Sequence, residues 1–406
     1  MDNKLAFIED IFRNTAYIRT GGSKEEYECA EYLKGTFESL GLSAALEPFE
    51  VDMGDVTSAS LTVDGEDIPC VGYMLCGSGS VTAPLYYLRD DDDYSFSLCR
   101  GKIALVEGFM PYKKYRSLVD NGAVGVVTFS GNIHYPDSDI DKKELRPYVS
   151  KGDKLLCVNI NVKDAVRIIK CDGKTATVSV EQNEYKTSSH NVTAYLEGEY
   201  DKDIVLTAHY DSTALSTGAY DNMSGCVGLF LIAEYFKSHP HKYGLKFILC
   251  GSEERGLLGS KAYVEREKES LDRVVLCVNL DMIGCTMGYF LACCTSEESL
   301  VTYLKYMGME KGLPVHAYQG VYSSDSTPFA DNGIPAVSFA RITSKETANI
   351  HTRYDTYELM KNEMVASDAD FIIEFVDRMA NSVYMPVKRE MPQKMKDKLD
   401  EYLNRK

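Results

Sequence analysis

No run in this chain approaches the ~20 consecutive apolar residues that a bilayer-spanning helix needs. The N-terminal stretch MDNKLAFIEDIFRNTAYIRT interleaves charges with apolar residues. It lacks a basic segment followed by an apolar one, so it does not read as an export signal. Positive charge is in deficit: 44 Lys and Arg stand against 61 Asp and Glu, for a formal net charge of −17. Such a chain has little with which to neutralise the phosphates of a nucleic acid. The 12 cysteines include no CxxC pair. Cys226, Cys250 and Cys277 lie in apolar runs, where a thiol behaves as a small hydrophobe. Reduced thiols, no membrane segment and no signal together imply a cytoplasmic protein. No internal repeat or low-complexity tract is present, and nothing in the sequence sets the oligomeric state.

What is present is enough for more than one core, since 406 residues exceed a typical domain. Residues 1–54 read as helical and then extended. Ser23 and Glu26 have the spacing of a capping box, apolar positions recur at Tyr27, Ala30, Leu33 and Phe37, and Gly41 ends the helix before a strand at Ala45 to Val51. Residues 55–185 form an inserted domain dominated by strand-like runs such as GKIALVEG and AVGVVTF, with one helix from about Tyr112 to Asn121. The four acids Asp90 to Asp93 lack the spacing and glycine of a calcium loop, so a solvated turn is expected. From 186 to 385 short runs rich in branched residues (IVLTA, LKFILC, VVLCVNL, IPAVSFA) alternate with helical stretches. That alternation implies an α/β domain with a mixed, mainly parallel sheet covered by helices on both faces, and ligands at the carboxyl ends of its strands. Residues 386–406 read as a charged helical tail.

At those strand ends the acids and histidines collect. His209 follows IVLTA directly, and Asp211 two residues on is placed to accept a hydrogen bond from its imidazole and set its tautomer. Asp221, at the start of an apolar helix, is either an N-cap or a carboxylate giving one oxygen to each of two cations. Glu253 and Glu254 follow LKFILCGS; two adjacent carboxylates there repel unless a cation or proton intervenes. One of them would hold metal and the other act as general base and acid. Asp281 ends VVLCVNL, where an unpaired buried charge is expensive. His351 lies beyond IPAVSFA, with Asp355 four residues on to orient it. Imidazoles and carboxylates on rigid strand ends are what a hydrolytic metal site needs.

The motifs AHYDS, GAYDNMSG, a strand ending in Glu-Glu, NLDMIG and HTRYDT resemble, in order and context, the co-catalytic dizinc exopeptidases that include bacterial leucine aminopeptidases, aminopeptidase Y and glutamate carboxypeptidase II. The resemblance covers about His190 to Ala380 and the N-terminal helical segment. GKIALVEG and DNGAVGVVTFSG resemble the protease-associated domain inserted in many members. The resemblance implies two zinc ions per chain: one on His209 and Asp281, the other on Glu254 and His351, with Asp221 bridging. It also implies Glu253 as general base, Asp211 as orienting partner of His209, and Tyr322 as oxyanion donor. Cobalt or manganese would also suit such ligands. Ser324-Asp325-Ser326 departs from the family's Ser-Asp-His, which bears on the substrate pocket rather than on the metals. The activity implied is removal of N-terminal residues from peptides. A carboxypeptidase or dipeptidase, with Arg341 pairing a substrate carboxylate, and a non-catalytic binding module are the alternatives.

Overall fold

The computed structural model describes residues 2–108, 110–135, 138–344 and 347–405. Met1 and Lys406, the ends of the expected N-terminal segment and charged tail, lie outside the described residues. The chain divides into two compact units, Met1–Val51 with Ser188–Lys406, and Asp52–Thr187. Two long strands, β1 (Ala44–Val63) and β2 (Thr175–Leu196), carry the chain from one unit to the other and back.

In the larger unit β2 is followed by β3 (Asp203–His209), β4 (Gly244–Cys250), β5 (Val274–Leu280), β6 (Tyr289–Thr295), β7 (Val315–Gln319) and β8 (Ala336–Ile342). Their order is β7-β6-β8-β5-β3-β4-β2. The four central strands β8, β5, β3 and β4 run parallel; β6 and β2 join them antiparallel at either side. Every residue of β3 is buried, because helices cover both faces. Successive side chains of a strand point to opposite faces. Leu206 and Ala208 therefore pack with α1 (Asp2–Asn14), α2 (Lys24–Ser39), α3 (Ser224–Phe236), α5 (Glu298–Lys311) and α7 (Asn362–Ala380), where Phe37 lies 4.5 Å from Phe230. Val205, Ile248 and Cys277 pack with α4 (Leu258–Arg266), α6 (Ser326–Asp331) and α8 (Gln393–Tyr402).

The α2 start departs from a reciprocal capping box. Ser23 Oγ accepts the Glu26 N–H at 3.1 Å, but the Glu26 carboxylate accepts the N–H of Gly22 rather than that of Ser23. Among the described residues no helix is long and apolar enough to cross a membrane.

The smaller unit has its own core, built on parallel strands Ile103–Glu107, Gly125–Ser130 and Leu156–Asn161 with Gly79–Tyr87 beside the first of them. The one sequence-expected helix is Tyr112–Asp120, and the short helices Asp93–Ser97, Pro147–Ser150 and Val162–Ile168 join it. Within the acid run, Asp92 caps the short helix Asp93–Ser97 and Asp91 pairs with Lys114 at 2.9 Å, so these acids are occupied as a turn.

Candidate metal centre

The parallel registers align the strand ends: His209 lies opposite Cys250, and Leu280 opposite Phe339. The residues just past those ends therefore emerge at one edge of the sheet. His209 closes β3, Glu253 and Glu254 lie three and four residues past β4, and Asp281 follows β5 directly. Two residues sit differently from a simple strand end. Asp221 is in a kinked turn ahead of α3, with non-helical backbone at Asp221 and Asn222, and the peptide bond between them is cis. His351 is in the loop beyond β8 and is about half exposed, at the rim of the site.

The structure brings the five expected ligands into two groups. His209, Asp221 and Asp281 offer one ligand atom each within 4.8 Å of one another, and so do Asp221, Glu254 and His351. Asp221 is in both. Its Oδ1 lies 3.2 Å from His209 Nε2 and its Oδ2 3.1 Å from His351 Nε2, so its two oxygens face opposite ways. Glu254 Oε2 stands 3.1 Å from the same His351 nitrogen. Glu253 belongs to neither group, yet its Oε2 is 3.9 Å from His209 Nε2.

The electrostatics favour a cation. Partial desolvation opposes charge on His351, but the facing carboxylates of Glu254 and Asp221 outweigh it and push the imidazole well above its usual range. His209 is pushed up in the same way, against its burial, by Glu253, Asp211, Asp221 and Asp281. Burial would raise Asp221, yet the two histidines hold it below the usual carboxylate range. Burial, with Glu254 beside it, drives Glu253 well above that range. Asp281 Oδ1 is buried without a hydrogen-bond partner among the described residues. Buried carboxylates so placed need countercharge. Divalent cations on a set of imidazole and carboxylate donors supply it, so the residues fit the implied metal.

Asp211 lies beside the His209 imidazole as expected, but the hydrogen bonds it accepts come from backbone N–H groups. Its Oδ1 lies 3.4 Å from His209 Nδ1, while its two oxygens accept the backbone N–H groups of Glu253 and Glu254 at 2.9 and 3.1 Å. One carboxylate thus ties the β3 end to the β4 end.

Asn222 was not singled out by sequence, and it takes the capping part that Asp221 leaves free. Its Oδ1 accepts the N–H groups of Gly225 and Met282, both at 3.0 Å, and its Nδ2 donates to the Leu280 carbonyl at 2.9 Å. Gly225 is required by close approach, because a Cβ there would lie 2.3 Å from the Leu280 oxygen. Asp221 is thereby referenced to Asp281. The only sequence signal was the Asn in GAYDNMSG.

Three expectations change. Asp355 does not orient His351: its Oδ1 accepts the Tyr220 N–H at 2.8 Å and its Oδ2 the Asp221 N–H and Ser216 hydroxyl at 3.2 Å, so it holds the Asp221 turn. Arg341 does not offer itself to a substrate carboxylate. It is buried, with Nε 2.8 Å from Asp368 Oδ2 and Nη2 on Asp368 Oδ1. Replacing Arg341 with Ala strands Asp368 and is expected to cost about 3–5 kcal/mol of stability. Urea unfolding measures this; a loss below 1 kcal/mol would contradict it. Ser326, in place of the family's histidine, is buried 2.8 Å from the Ser338 hydroxyl and serves the core. The Tyr322 hydroxyl is buried with no partner among the described residues. Burial first, then the carboxylates of Asp281 and Asp221, push the phenol well above its usual range.

Residues 191–376 match the model of peptidase family M28. The chain is 28% identical over 408 residues to aminopeptidase YwaD of Bacillus subtilis, covering 93% of this chain and 85% of that protein. It is 26% identical over 287 residues to a probable leucine aminopeptidase 2 of Aspergillus oryzae, covering 66% of this chain but only 55% of the fungal protein. Among solved structures its fold is similar to BSAP, a zinc aminopeptidase from Bacillus subtilis, with a TM-score of 0.77 at 23% identity over 96% of each chain.

Proposed function

We propose, from the match of residues 191–376 to the model of peptidase family M28, that the chain is a zinc-dependent aminopeptidase acting on peptides. The observation that carries the reading is the pair of ligand groups sharing Asp221, with Glu253 beside them and in neither. His209 and Asp281 would hold one zinc ion, Glu254 and His351 a second, and Asp221 both; cobalt or manganese would fit the same donors. Zinc bound there supplies Lewis acidity toward a water and the scissile carbonyl. Glu253, raised by burial, is the base that takes a proton from the water and then hands it to the leaving amine. Asp211 keeps Glu253 in place through the backbone N–H it accepts, with the His209 imidazole 3.4 Å away.

Tyr322 is assigned as hydrogen-bond donor to the oxygen on which negative charge develops. Tyr322→Phe is expected to lower kcat on the order of 10²-fold with little change in zinc content. Unchanged kcat would return Tyr322 to a packing role.

An aminopeptidase is favoured over a carboxypeptidase because Arg341, the candidate anchor for a substrate carboxylate, is already paired with Asp368. The test is a panel of amino-acid anilides with free and N-acetylated dipeptides. Cleavage of anilides and of dipeptides with a free amine is expected; cleavage confined to substrates with a free C-terminal carboxylate would refute the reading. The inserted unit is proposed to be a protease-associated domain, supported by its separate core. A reducing compartment is proposed for the protein, supported by thiols that serve mostly as buried apolar groups.

A further inference from the structure

Two charged side chains that the mechanism does not use are buried near the start of the chain, Arg19 in the segment joining α1 to α2 and Glu26 in the first turn of α2. Arg19 has no exposed surface, and among the described residues no carboxylate pairs with it. Its guanidinium donates to backbone carbonyls only. Nε donates to Tyr210, Nη1 to Thr15, Tyr17 and Thr217, and Nη2 to Gly218 at 2.8 Å. Three of these carbonyls belong to the loop that leaves His209 and arrives at Asp221. The backbone joins in: the Arg19 N–H reaches Ser212 Oγ, and the Ser212 N–H reaches the Arg19 carbonyl, both at 3.1 Å.

Seven residues on, Glu26 grips the other ligand loop. Its Oε1 accepts the Ser252 N–H at 2.8 Å, the Ser252 hydroxyl at 3.2 Å and the Ser189 hydroxyl at 2.8 Å. Its Oε2 accepts the Gly22 N–H at 2.6 Å. Ser252 immediately precedes Glu253 and holds a left-handed backbone, φ 53°, which a residue with a Cβ adopts only when its surroundings impose it. Between the two grips, Gly21 lies against Ser252 so closely that a Cβ would stand 2.3 Å from its hydroxyl oxygen.

Burying a guanidinium and a carboxylate apart from one another costs more than packing apolar side chains in their place. Each repays this with hydrogen bonds to a loop that carries ligands. We infer that Arg19 and Glu26 are positioning residues: the Arg19–Glu26 strap sets the His209–Asp221 loop and the Ser252–Glu254 loop at the separation the two ligand groups require. The inference rests on the ligand assignment proposed above.

The test uses the full chain. Arg19→Ala and Glu26→Gln are compared with the parent for zinc stoichiometry and affinity by chelator competition, for kcat and KM separately, and for melting temperature. Glu26→Gln keeps the shape but turns one acceptor into a donor that faces a donor. Zinc affinity of folded Arg19→Ala is expected to fall roughly 10–100-fold, with recovery on adding methylguanidinium. Glu26→Gln is expected to lose kcat by roughly 10²-fold with KM little changed. A lowered melting temperature with parental zinc affinity and kcat in both variants would overturn the inference and leave the strap a stability element. If Arg19→Ala does not fold, Glu26→Gln alone decides, by the same criterion. Asp221→Asn is the control for the underlying assignment: if it binds as much zinc as the parent, the ligand assignment has failed, whatever the strap variants do.

Discussion

Glu253→Gln is expected to lower kcat by about 10²–10⁴-fold while zinc content and KM stay close to those of the parent. The side chain keeps its volume and stays in a buried position, but an amide cannot take a proton from water or return one to an amine. Glu253 lies next to His209 yet outside both ligand groups, so the substitution should leave the ions in place. Its backbone N–H, bonded to Asp211 Oδ1, is untouched by the change. The separation of effects is the informative part. Loss of kcat together with loss of zinc would make Glu253 a ligand rather than a base. Retention of kcat would remove it from the chemistry altogether. Metal analysis on the same preparation used for kinetics decides between these outcomes.

Stripping the ions with a chelator is expected to abolish hydrolysis and to lower stability, with both restored by zinc. At free zinc a thousandfold above its dissociation constant, each ion bound only by the folded state contributes ~4 kcal/mol. Without ions, the carboxylates of Asp221, Glu254 and Asp281 face one another across two groups, answered among the described residues by the imidazoles of His209 and His351. Asp221→Asn is expected to be the most damaging single ligand change, because Asp221 alone belongs to both groups. It should bind less than one zinc ion per chain under conditions that load the parent, with activity lost in proportion. Zinc ligands bind deprotonated, so apparent zinc affinity should fall as the pH is lowered. Calorimetric melting with and without chelator, paired with zinc analysis, measures both effects; a melting temperature unmoved by chelator would count against a resident metal.

These outcomes separate what could be read along the chain from what could not. His209, Asp281 and the Glu253-Glu254 pair were legible because a run of buried branched residues followed by a charged one marks a strand end, and strand ends in a parallel sheet share one edge. Asp221 was left between an N-cap and a bridging carboxylate, and the structure gives the capping to Asn222, whose Oδ1 accepts the Gly225 N–H. The alternative role weighed for Arg341 could not be settled along the chain, because its partner Asp368 stands 27 positions away on another element. Asp355 was assigned to the histidine nearest in sequence, whereas it binds the turn 134 and 135 positions earlier. Glu26 looked like the return half of a capping box, but its main partner, Ser252, is 226 residues downstream.

The sequence by itself determined the ligand types, their order and the layered α/β frame, since these depend on local pattern and on the chemistry of individual side chains. Only the tertiary structure decided which carboxylate shares two histidines, which acids hold loops, and why Arg19 before α2 and Glu26 in its first turn are buried. Those are choices among hydrogen-bond partners far apart in the chain. A buried polar group takes whichever partner folding brings within about 3 Å.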